Sequence, residues 1–197
     1  SDEGTWNGTI RLLNDIDMTG TDGFQRIGDP RYVFYGTFHG QGHTITGLKV
    51  TTTEADAPAA MFYAIAPGAT VQHLHLRDAN MQATGQLAMA GGIAYINHGT
   101  ITGCTVHGTV EGGYATGIAY QNDSGGNITA CGFKGTLTSS DNYTGGISLS
   151  NAGTITGCYA LTEGGAMYRI ANNSTNPNVT GTSPGCIGQG DTSYILT

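Results

Sequence analysis

The segment GTITGC (99–104) decides the fold, because it recurs unchanged at 153–158, with the related NITAC (127–131) between the two copies. The cysteines of these segments are therefore 27 residues apart, twice in succession. Self-similarity at a fixed period of this length is typical of solenoids. A wider pattern of three apolar residues, separated by two spacers and then by one, matches six times. The matches are Leu13-Ile16-Met18, Ile45-Leu48-Val50, Val71-Leu74-Leu76, Ile101-Cys104-Val106, Ile128-Cys131-Phe133 and Ile155-Cys158-Ala160.

The composition favours ordered all-β structure. Glycine accounts for 33 of the 197 residues and charged residues for only 11%, while Thr, Ile and Val are abundant and favour strands. Short strands, glycine corners and the absence of a helical pattern predict a parallel β-helix, right-handed, of about six to seven coils with a period of about 27 residues. We expect coils over residues 1–164 and a final partial coil or C-terminal cap of the same domain over residues 165–197.

Charge and hydropathy exclude two classes of partner. The net charge of −7 and the seven Lys and Arg residues argue against binding to nucleic acid or to an anionic membrane, which need clustered basic side chains. No run approaches the roughly 18 apolar residues of a membrane span, so we predict no membrane insertion. Because the chain starts at Ser1 without Met, we interpret it as a mature segment or a piece of a longer protein.

Two histidines four residues apart in YGTFHGQGHTITGL (35–48) have the spacing of a helical zinc site. His39 and His43 would need a helix to bring both imidazoles to one face. The glycines of this segment favour corners instead, since glycine readily adopts positive φ. We therefore predict an architectural role for both histidines, and neither a metal nor a cofactor.

Three of the four cysteines fall at one inward position of the repeat. Cys104, Cys131 and Cys158 occupy the place where other matches carry a larger apolar residue. A buried thiol behaves as a small hydrophobic group, and neighbouring parallel strands give poor disulfide geometry. We expect three stacked thiols. The pairing of Cys186, in the irregular tail, is left open.

Asparagine and tyrosine recur in phase with the cysteines. Asn97, Asn122 and Asn151 follow a second repeat at a fixed offset, and stacking at about 4.8 Å per coil would let them bond one another. Period-two alternation predicts that Tyr95 and Tyr120 point inward, because each lies two residues after an inward isoleucine. Three further tyrosines near corners could stack on sugar rings: Tyr114, Tyr143 and Tyr168.

The carboxylates form no recognisable catalytic set. Asp15 and Asp17 flank Ile16 and are expected to point outward, and Lys49 takes the place of Asp17 in the next coil. A surface ion pair between these columns is the simpler interpretation. We therefore predict no catalytic residue, and a protein that is not an enzyme.

The outward columns of the predicted coils contain one candidate ligand-binding strip. The outward residues that flank the last apolar position of each match would stack on one another. This stacking would bring several of the chain's few basic side chains together, next to an aromatic ring. The candidate residues are His75, Arg77, His107, Lys134 and Tyr159. Such a strip could bind an acidic or neutral glycan, although an ordinary solvated sheet face would have the same appearance.

Five segments together resemble the GLUG-motif repeat proteins. NDIDMTG (14–20), FQRIG (24–28) and FYGTFHGQGHTITGL (34–48) resemble the opening of that family, and GGIAYINHGTITGC (91–104) and GGISLSNAGTITGCYA (145–160) resemble its repeats. The chain departs from the pattern at His39, where the family tends to have aspartate. The resemblance implies an adhesin-like β-helix that is extracellular or on a bacterial cell surface. It does not imply one activity, because a fold alone does not fix function.

Three functions remain open from the sequence. The first is a non-catalytic extracellular repeat domain, acting as a stalk or as a surface that binds a host or dietary glycan or a host surface protein. The second is a carbohydrate-active β-helix enzyme, a polysaccharide lyase or a glycoside hydrolase. The third is an inert spacer or self-association module, since exposed strand edges would favour end-to-end stacking of copies.

Overall fold

The computed structural model describes residues 7–85, 87–163, 170 and 187–188, and these are all-β. Nineteen strands lie within them, with the following bounds. They are β1 (Thr9–Arg11), β2 (Ile16–Asp17), β3 (Thr37–His39), β4 (Thr44–Thr46), β5 (Lys49–Thr52), β6 (Phe62–Ile65), β7 (Thr70–Gln72), β8 (His75–Ala83), β9 (Met89–Gly91), β10 (Ala94–Asn97), β11 (Thr100–Thr102), β12 (Thr105–Thr116), β13 (Ala119–Asn122), β14 (Asn127–Thr129), β15 (Gly132–Gly145), β16 (Ser148–Asn151), β17 (Thr154–Thr156), β18 (Tyr159–Glu163) and β19 (Ile187–Gly188).

Three parallel sheets wind around one core. Sheet 1 has the order β1-β3-β7-β11-β14-β17 and sheet 2 the order β6-β10-β13-β16. Sheet 3 has the order β2-β4-β8-β12-β15-β18-β19, with β5 beside β8 and β9 beside β12. Each strand pairs in parallel with the strand one turn away, so the predicted parallel β-solenoid is confirmed. The six strands of sheet 1 are separated by about five turns, against six to seven coils expected from the sequence. Residues 165–169, which include Tyr168, and residues 171–186 and 189–197 of the expected cap lie outside the described residues, and the handedness stays a prediction.

The Thr-Ile-Thr segments form the centre of sheet 1 because alternation directs isoleucine inward and both threonines outward. Phe38, Val71, Ile101, Ile128 and Ile155 pair in succession and are at most 4% exposed. Burial of each such side chain contributes roughly 1.5–3 kcal/mol. The apolar column therefore contributes to the stability of every stacked turn.

The register of the first two turns differs from the sequence prediction. The pattern aligned Ile45 with Val71, but Phe38 pairs with Val71 and Ile45 pairs with Leu76 in sheet 3. Phe38 takes the inward position of sheet 1 in this turn, but the residues after it do not continue the apolar pattern, so the pattern could not locate it. Turn length also varies, because Thr37 to Thr70 spans 33 residues whereas later turns span 27.

The N-terminal apolar match was also placed wrongly. Leu13 and Ile16 are 75% and 41% exposed, not inward. Ile16 of β2 pairs with Ile45, and β2 is the outermost strand of sheet 3 among the described residues, with one neighbouring strand there.

The predicted asparagine ladder is confirmed. Asn97, Asn122 and Asn151 are completely buried. Asn97 Nδ2 donates to Asn122 Oδ1 at 2.8 Å, and Asn122 Nδ2 donates to Asn151 Oδ1 at 2.7 Å. Asn122 Nδ2 also approaches the carbonyl of Gly126 at 3.3 Å. The ladder therefore ties the turn after sheet 2 to its equivalents on both neighbouring turns.

The predicted stack of thiols is confirmed for Cys104, Cys131 and Cys158, which are at most 1% exposed. Each Sγ lies 3.6 Å from a carbonyl oxygen of the preceding turn, that of Val71, Ile101 and Ile128 respectively. Cys186 lies outside the described residues. The column thus replaces larger side chains by small ones that bond the backbone of the preceding turn.

We expect these three cysteines to resist alkylation by iodoacetamide in the native protein. Reaction requires an accessible thiolate, and all three thiols are buried. The hydrogen bond between Cys104 and Cys131 raises the pKa of the Cys131 thiol and lowers that of the Cys104 thiol, so Cys104 is protected by its burial alone. Peptide mapping after alkylation, with a denatured sample as the control, should find them modified only after denaturation. Modification of the native protein at the denatured rate would show that the column opens to solvent.

Candidate functional site

The predicted basic strip is only partly assembled. His75, Thr105, Gly132 and Tyr159 form one column of sheet 3, as expected. His75 Nδ1 lies 2.7 Å from Thr105 Oγ1. The Tyr159 ring lies over Gly132, because a Cβ built on this glycine would be 2.1 Å from Tyr159 Cζ. The residues of this column therefore contact one another.

The neighbouring column of the strip is interrupted. His107 pairs with Lys134, but a register shift lies between Val106 and Gly108, where β12 faces β8. Asp78, next to Arg77, has φ of 50°, and the bulge displaces Arg77 from direct pairing with His107. All three basic side chains are exposed. Within the described residues no hydrogen bond joins them, so their role in ligand binding stays a prediction.

The acidic residues of the first turns have other partners than the sequence indicated. Lys49 pairs with Asn80 rather than standing above Asp17, and its ammonium group binds Asp22 at 2.7 Å. This hydrogen bond lowers the pKa of the Asp22 carboxyl. The predicted ion pair between the columns of Asp17 and Lys49 is therefore wrong, because the register of the first turns differs.

His39 and His43 do not converge on a common ligand. His39 Nδ1 accepts from the Gln41 backbone amide at 2.9 Å, and its ring lies 5.2 Å from that of His73. His43 Nδ1 lies 3.1 Å from Asp15 Oδ1. Asp15 also accepts from the Thr44 amide, and this bond and His43 lower the pKa of its carboxyl. Within the described ranges, no three His, Cys, Asp or Glu side chains cluster as metal ligands would.

The prediction that Tyr95 and Tyr120 point inward is wrong. A bulge precedes each tyrosine, because the amides of Ile93 and Ala94 both donate to the Ile118 carbonyl. Ile93 and Ala94 are both buried, so the alternation restarts and Tyr95 lies partly exposed on the outer face of sheet 2. The same arrangement precedes Tyr120.

Five tyrosines form a continuous row, which we call the tyrosine ladder. Tyr63, Tyr95 and Tyr120 follow one another up sheet 2 with ring centroids 5.4 Å apart. Tyr114 meets Tyr120 edge-on at 6.0 Å and stacks on Tyr143 at 5.5 Å. All five are partly exposed. Burial raises the pKa of the Tyr95 and Tyr120 hydroxyls, and the neighbouring tyrosine raises it further by a smaller amount. Both hydroxyls therefore stay protonated at neutral pH.

Arg26 extends the lower end of the ladder and also lines a cavity. Its guanidinium carbon lies 5.5 Å from the Tyr63 ring centroid, and Nη1 donates to the Pro58 carbonyl at 3.2 Å. Nε is buried and has no hydrogen-bond partner in the described part of the chain. The cavity has a volume of about 450 Å³. It is lined by Gln25, Arg26, Gly28, Asp29, Thr51, Thr52, Thr53, Glu54 and Ala57.

The loop after β5 lies between this cavity and the ladder and contributes to both. Glu54 and Ala57 line the cavity, while the charge of Asp56 contributes to the raised pKa of Tyr95. The Thr52 hydroxyl donates to the Ala57 carbonyl at 2.8 Å and holds the loop closed. Cavity and ladder are therefore adjacent, with Arg26 bridging them.

The sequence did not reveal this site. It depends on the approach of residues 25–29 to residues 51–57, which no periodicity specifies. A signal for the ladder was present, since AMFYA (60–64) and GGIAY (91–95) both contain tyrosine. Tyr63 pairs with Tyr95 only when the two segments are shifted by one residue, as the pairing of Phe62 with Ala94 requires.

The described chain is thus a parallel β-solenoid with an aromatic row on one outer face. Its structure resembles "Crystal structure of a putative immunoglobulin A1 protease from Bacteroides ovatus", with a TM-score of 0.56 and 17% identity, over 92% of this chain and 69% of that one. This likeness shows the fold. Among the described residues, no helix has the length and apolar character of a membrane span.

Two curated proteins resemble parts of the sequence. Halomucin of Haloquadratum walsbyi is 31% identical over 110 residues, which are 51% of this chain and 1% of that protein. The "Putative Gly-rich membrane protein" of Evansella cellulosilytica is 29% identical over 102 residues, 49% of this chain and 12% of that protein. The matches therefore span a small part of the length of these relatives. No family model matches the chain.

Proposed function

We propose that this chain is a non-catalytic repeat segment of a large extracellular or cell-surface protein, in which the solenoid acts as an adhesin-like stalk. The observation that carries this proposal is the unbroken parallel register of sheet 1 from β1 to β17. Each turn bonds its backbone to the next, and solenoids of this kind form stiff rods whose outer faces are free to vary. Such a rod would hold a binding surface away from a cell.

The placement of acid–base pairs supports a non-catalytic role. His43 and Asp15 lie on the first turns, whereas His98 and Asp123, with Nδ1 3.1 Å from Oδ2, lie on later ones. Asp15 is held by the Thr44 amide and Asp123 by Gln121. Each pair thus has a local structural role, and general acid–base chemistry needs groups that converge on one substrate bond.

The relatives support placement at a surface. One is a halomucin and the other is described as a membrane protein, and each is far longer than its matched segment. The resemblance of residues 9–160 to GLUG-motif repeats points the same way.

Surface labelling tests the proposal. An antibody raised against residues 7–163 should label intact, unpermeabilised cells that express the parent protein, and external protease should abolish the signal. An antibody against a cytoplasmic protein provides the control for intact cells. Labelling that requires permeabilisation would overturn the proposal.

A further inference from the structure

We propose that the cavity beside Arg26 and the tyrosine ladder form one binding site for a neutral oligosaccharide. This inference deepens the stalk proposal, on which it rests for the biological setting, and it places the ligand away from the basic strip. A sugar chain presents hydroxyl groups and apolar ring faces in regular alternation. The site offers a polar cavity at one end and a row of evenly spaced aromatic rings leading away from it.

The cavity has the groups that hydrogen-bond hydroxyls. Ionised carboxylates accept hydrogen bonds only, and hydroxyl or amide side chains both donate and accept. Glu54 makes no side-chain hydrogen bond or ion pair within the described residues and lies at the cavity wall beside three threonines. Asp29 accepts from the Arg31 and Tyr32 amides through Oδ1, which fixes its carboxylate and leaves Oδ2 for a ligand. At about 450 Å³ the cavity is within the usual range of small-ligand sites.

Arg26 connects the cavity to the ladder and provides a donor. Its guanidinium is held by the Tyr63 ring and by the Pro58 carbonyl. Its buried Nε lacks a partner in the described part of the chain, and a buried donor left without a partner costs about 1–3 kcal/mol. Arg26 also lines the cavity, where its guanidinium can donate to a ligand hydroxyl.

The ladder suits a chain made of repeated units. One ring is contributed per turn by Tyr63, Tyr95 and Tyr120, so the 5.4 Å spacing repeats along the solenoid. Tyrosine combines apolar ring surface with a hydroxyl that bonds a polar partner. Because the rings partly cover one another, their edges and hydroxyls are the groups most available to successive sugar units.

The charges select a neutral ligand. Asp29 and Glu54 line the cavity and Asp56 acts on the adjacent Tyr95 ring, against the two cations Arg26 and Arg31, the latter with Nε 3.9 Å from Asp29 Oδ1, so the local charge is net negative. An anionic chain would bring like charge to these carboxylates, and juxtaposed like charges suppress binding of the wrong partner. The net charge of −7 also disfavours the binding of an anionic ligand.

Isothermal titration with defined hexasaccharides tests the proposal. The probes are neutral hexasaccharides of glucose, xylose, mannose and galactose, with hexagalacturonate as the acidic counterpart. We expect at least one neutral chain to bind and the acidic chain to bind at least tenfold more weakly. Glu54→Gln should weaken binding about tenfold by removing a charged acceptor, and Tyr95→Ala should have a similar effect.

Two matched controls locate the site. Tyr35, which is 53% exposed and outside the ladder, should tolerate Tyr35→Ala without loss of affinity. The triple variant Arg77→Ala/His107→Ala/Lys134→Ala should bind like the unmodified chain. Because Glu54 is exposed and Glu54→Gln keeps the side-chain shape, this variant should fold even where thermal melting shows that Tyr95→Ala does not.

Any one of the following outcomes would overturn the proposal: no neutral hexasaccharide binding at millimolar concentration, unchanged affinity in Glu54→Gln, or tighter binding of hexagalacturonate. Loss of binding in the triple variant alone would assign the ligand to the basic strip and overturn it as well. Surface labelling is independent of these titrations, so a failed sugar site leaves the stalk proposal standing. A failed labelling experiment, in turn, leaves a measured affinity intact.

Discussion

Replacement of Asn122 by alanine should destabilise the protein by about 3 kcal/mol. The Asn122 side chain joins Asn97 to Asn151 through bonds of 2.8 and 2.7 Å, and all three side chains are fully buried. Truncation removes both bonds and leaves the Asn151 amide oxygen without its donor. Each buried polar group left unsatisfied costs about 1–3 kcal/mol, and low local polarity increases the cost. Urea denaturation followed by circular dichroism measures the free energy of unfolding.

Asn80→Ala is the matched control for this variant. Asn80 is exposed on β8, and surface substitutions usually change stability by less than about 0.5 kcal/mol. If Asn122→Ala also stayed within about 1 kcal/mol of the unmodified chain, the ladder would be a consequence of the stacked turns rather than a cause of their stability.

The repeats of the later turns were predictable from sequence because their inward residues share one period. Ile101, Ile128 and Ile155 recur at 27-residue steps, and the structure pairs them. The first turns were misaligned because Phe38 fills the same column without the rest of the apolar pattern, and a longer turn follows it. Gln41 and His43 stand where the pattern requires apolar residues, so it cannot detect Phe38.

The outer faces were less predictable than the core. The tyrosines were recognised as a recurring position, but the bulge at Ile93 and Ala94 reverses the side on which Tyr95 lies. Sequence alternation assumes regular pleating, and one extra residue in a strand inverts every later assignment. The basic strip failed at Arg77 for the same reason, since the turn at Asp78 breaks its register with His107.

The cavity beside Arg26 could not be predicted from the repeats. Its walls come from two irregular loops, residues 25–29 and 51–57, whose approach is set by the Arg26 bond to Pro58 and by the bridge between Ile27 and Phe62. Neither loop follows the period of the solenoid. The repeats specify the scaffold, and the departures from them create the candidate site.

Replacement of Gly117 by alanine should destabilise the protein by about 3 kcal/mol or more. A Cβ at this position would lie 2.1 Å from the Gly146 carbonyl oxygen and 2.5 Å from Phe133 Cγ. Phe133 is fully buried, and the Gly117 amide bonds the Gly145 carbonyl at 3.0 Å. Neither neighbour can move away without separating two stacked turns. Thermal melting together with urea denaturation should show the loss.

Gly8→Ala provides the control, because a Cβ at Gly8 meets no atom within 4 Å. We expect this variant to unfold within about 0.5 kcal/mol of the unmodified chain. The comparison separates the two effects of a new methyl group, since both variants lose glycine flexibility in the unfolded state but only Gly117→Ala introduces a clash. Equal stability of the two variants would mean that the turns can separate by about 1 Å at little cost. The stacking would then be too loose to form the stiff rod that the stalk proposal requires.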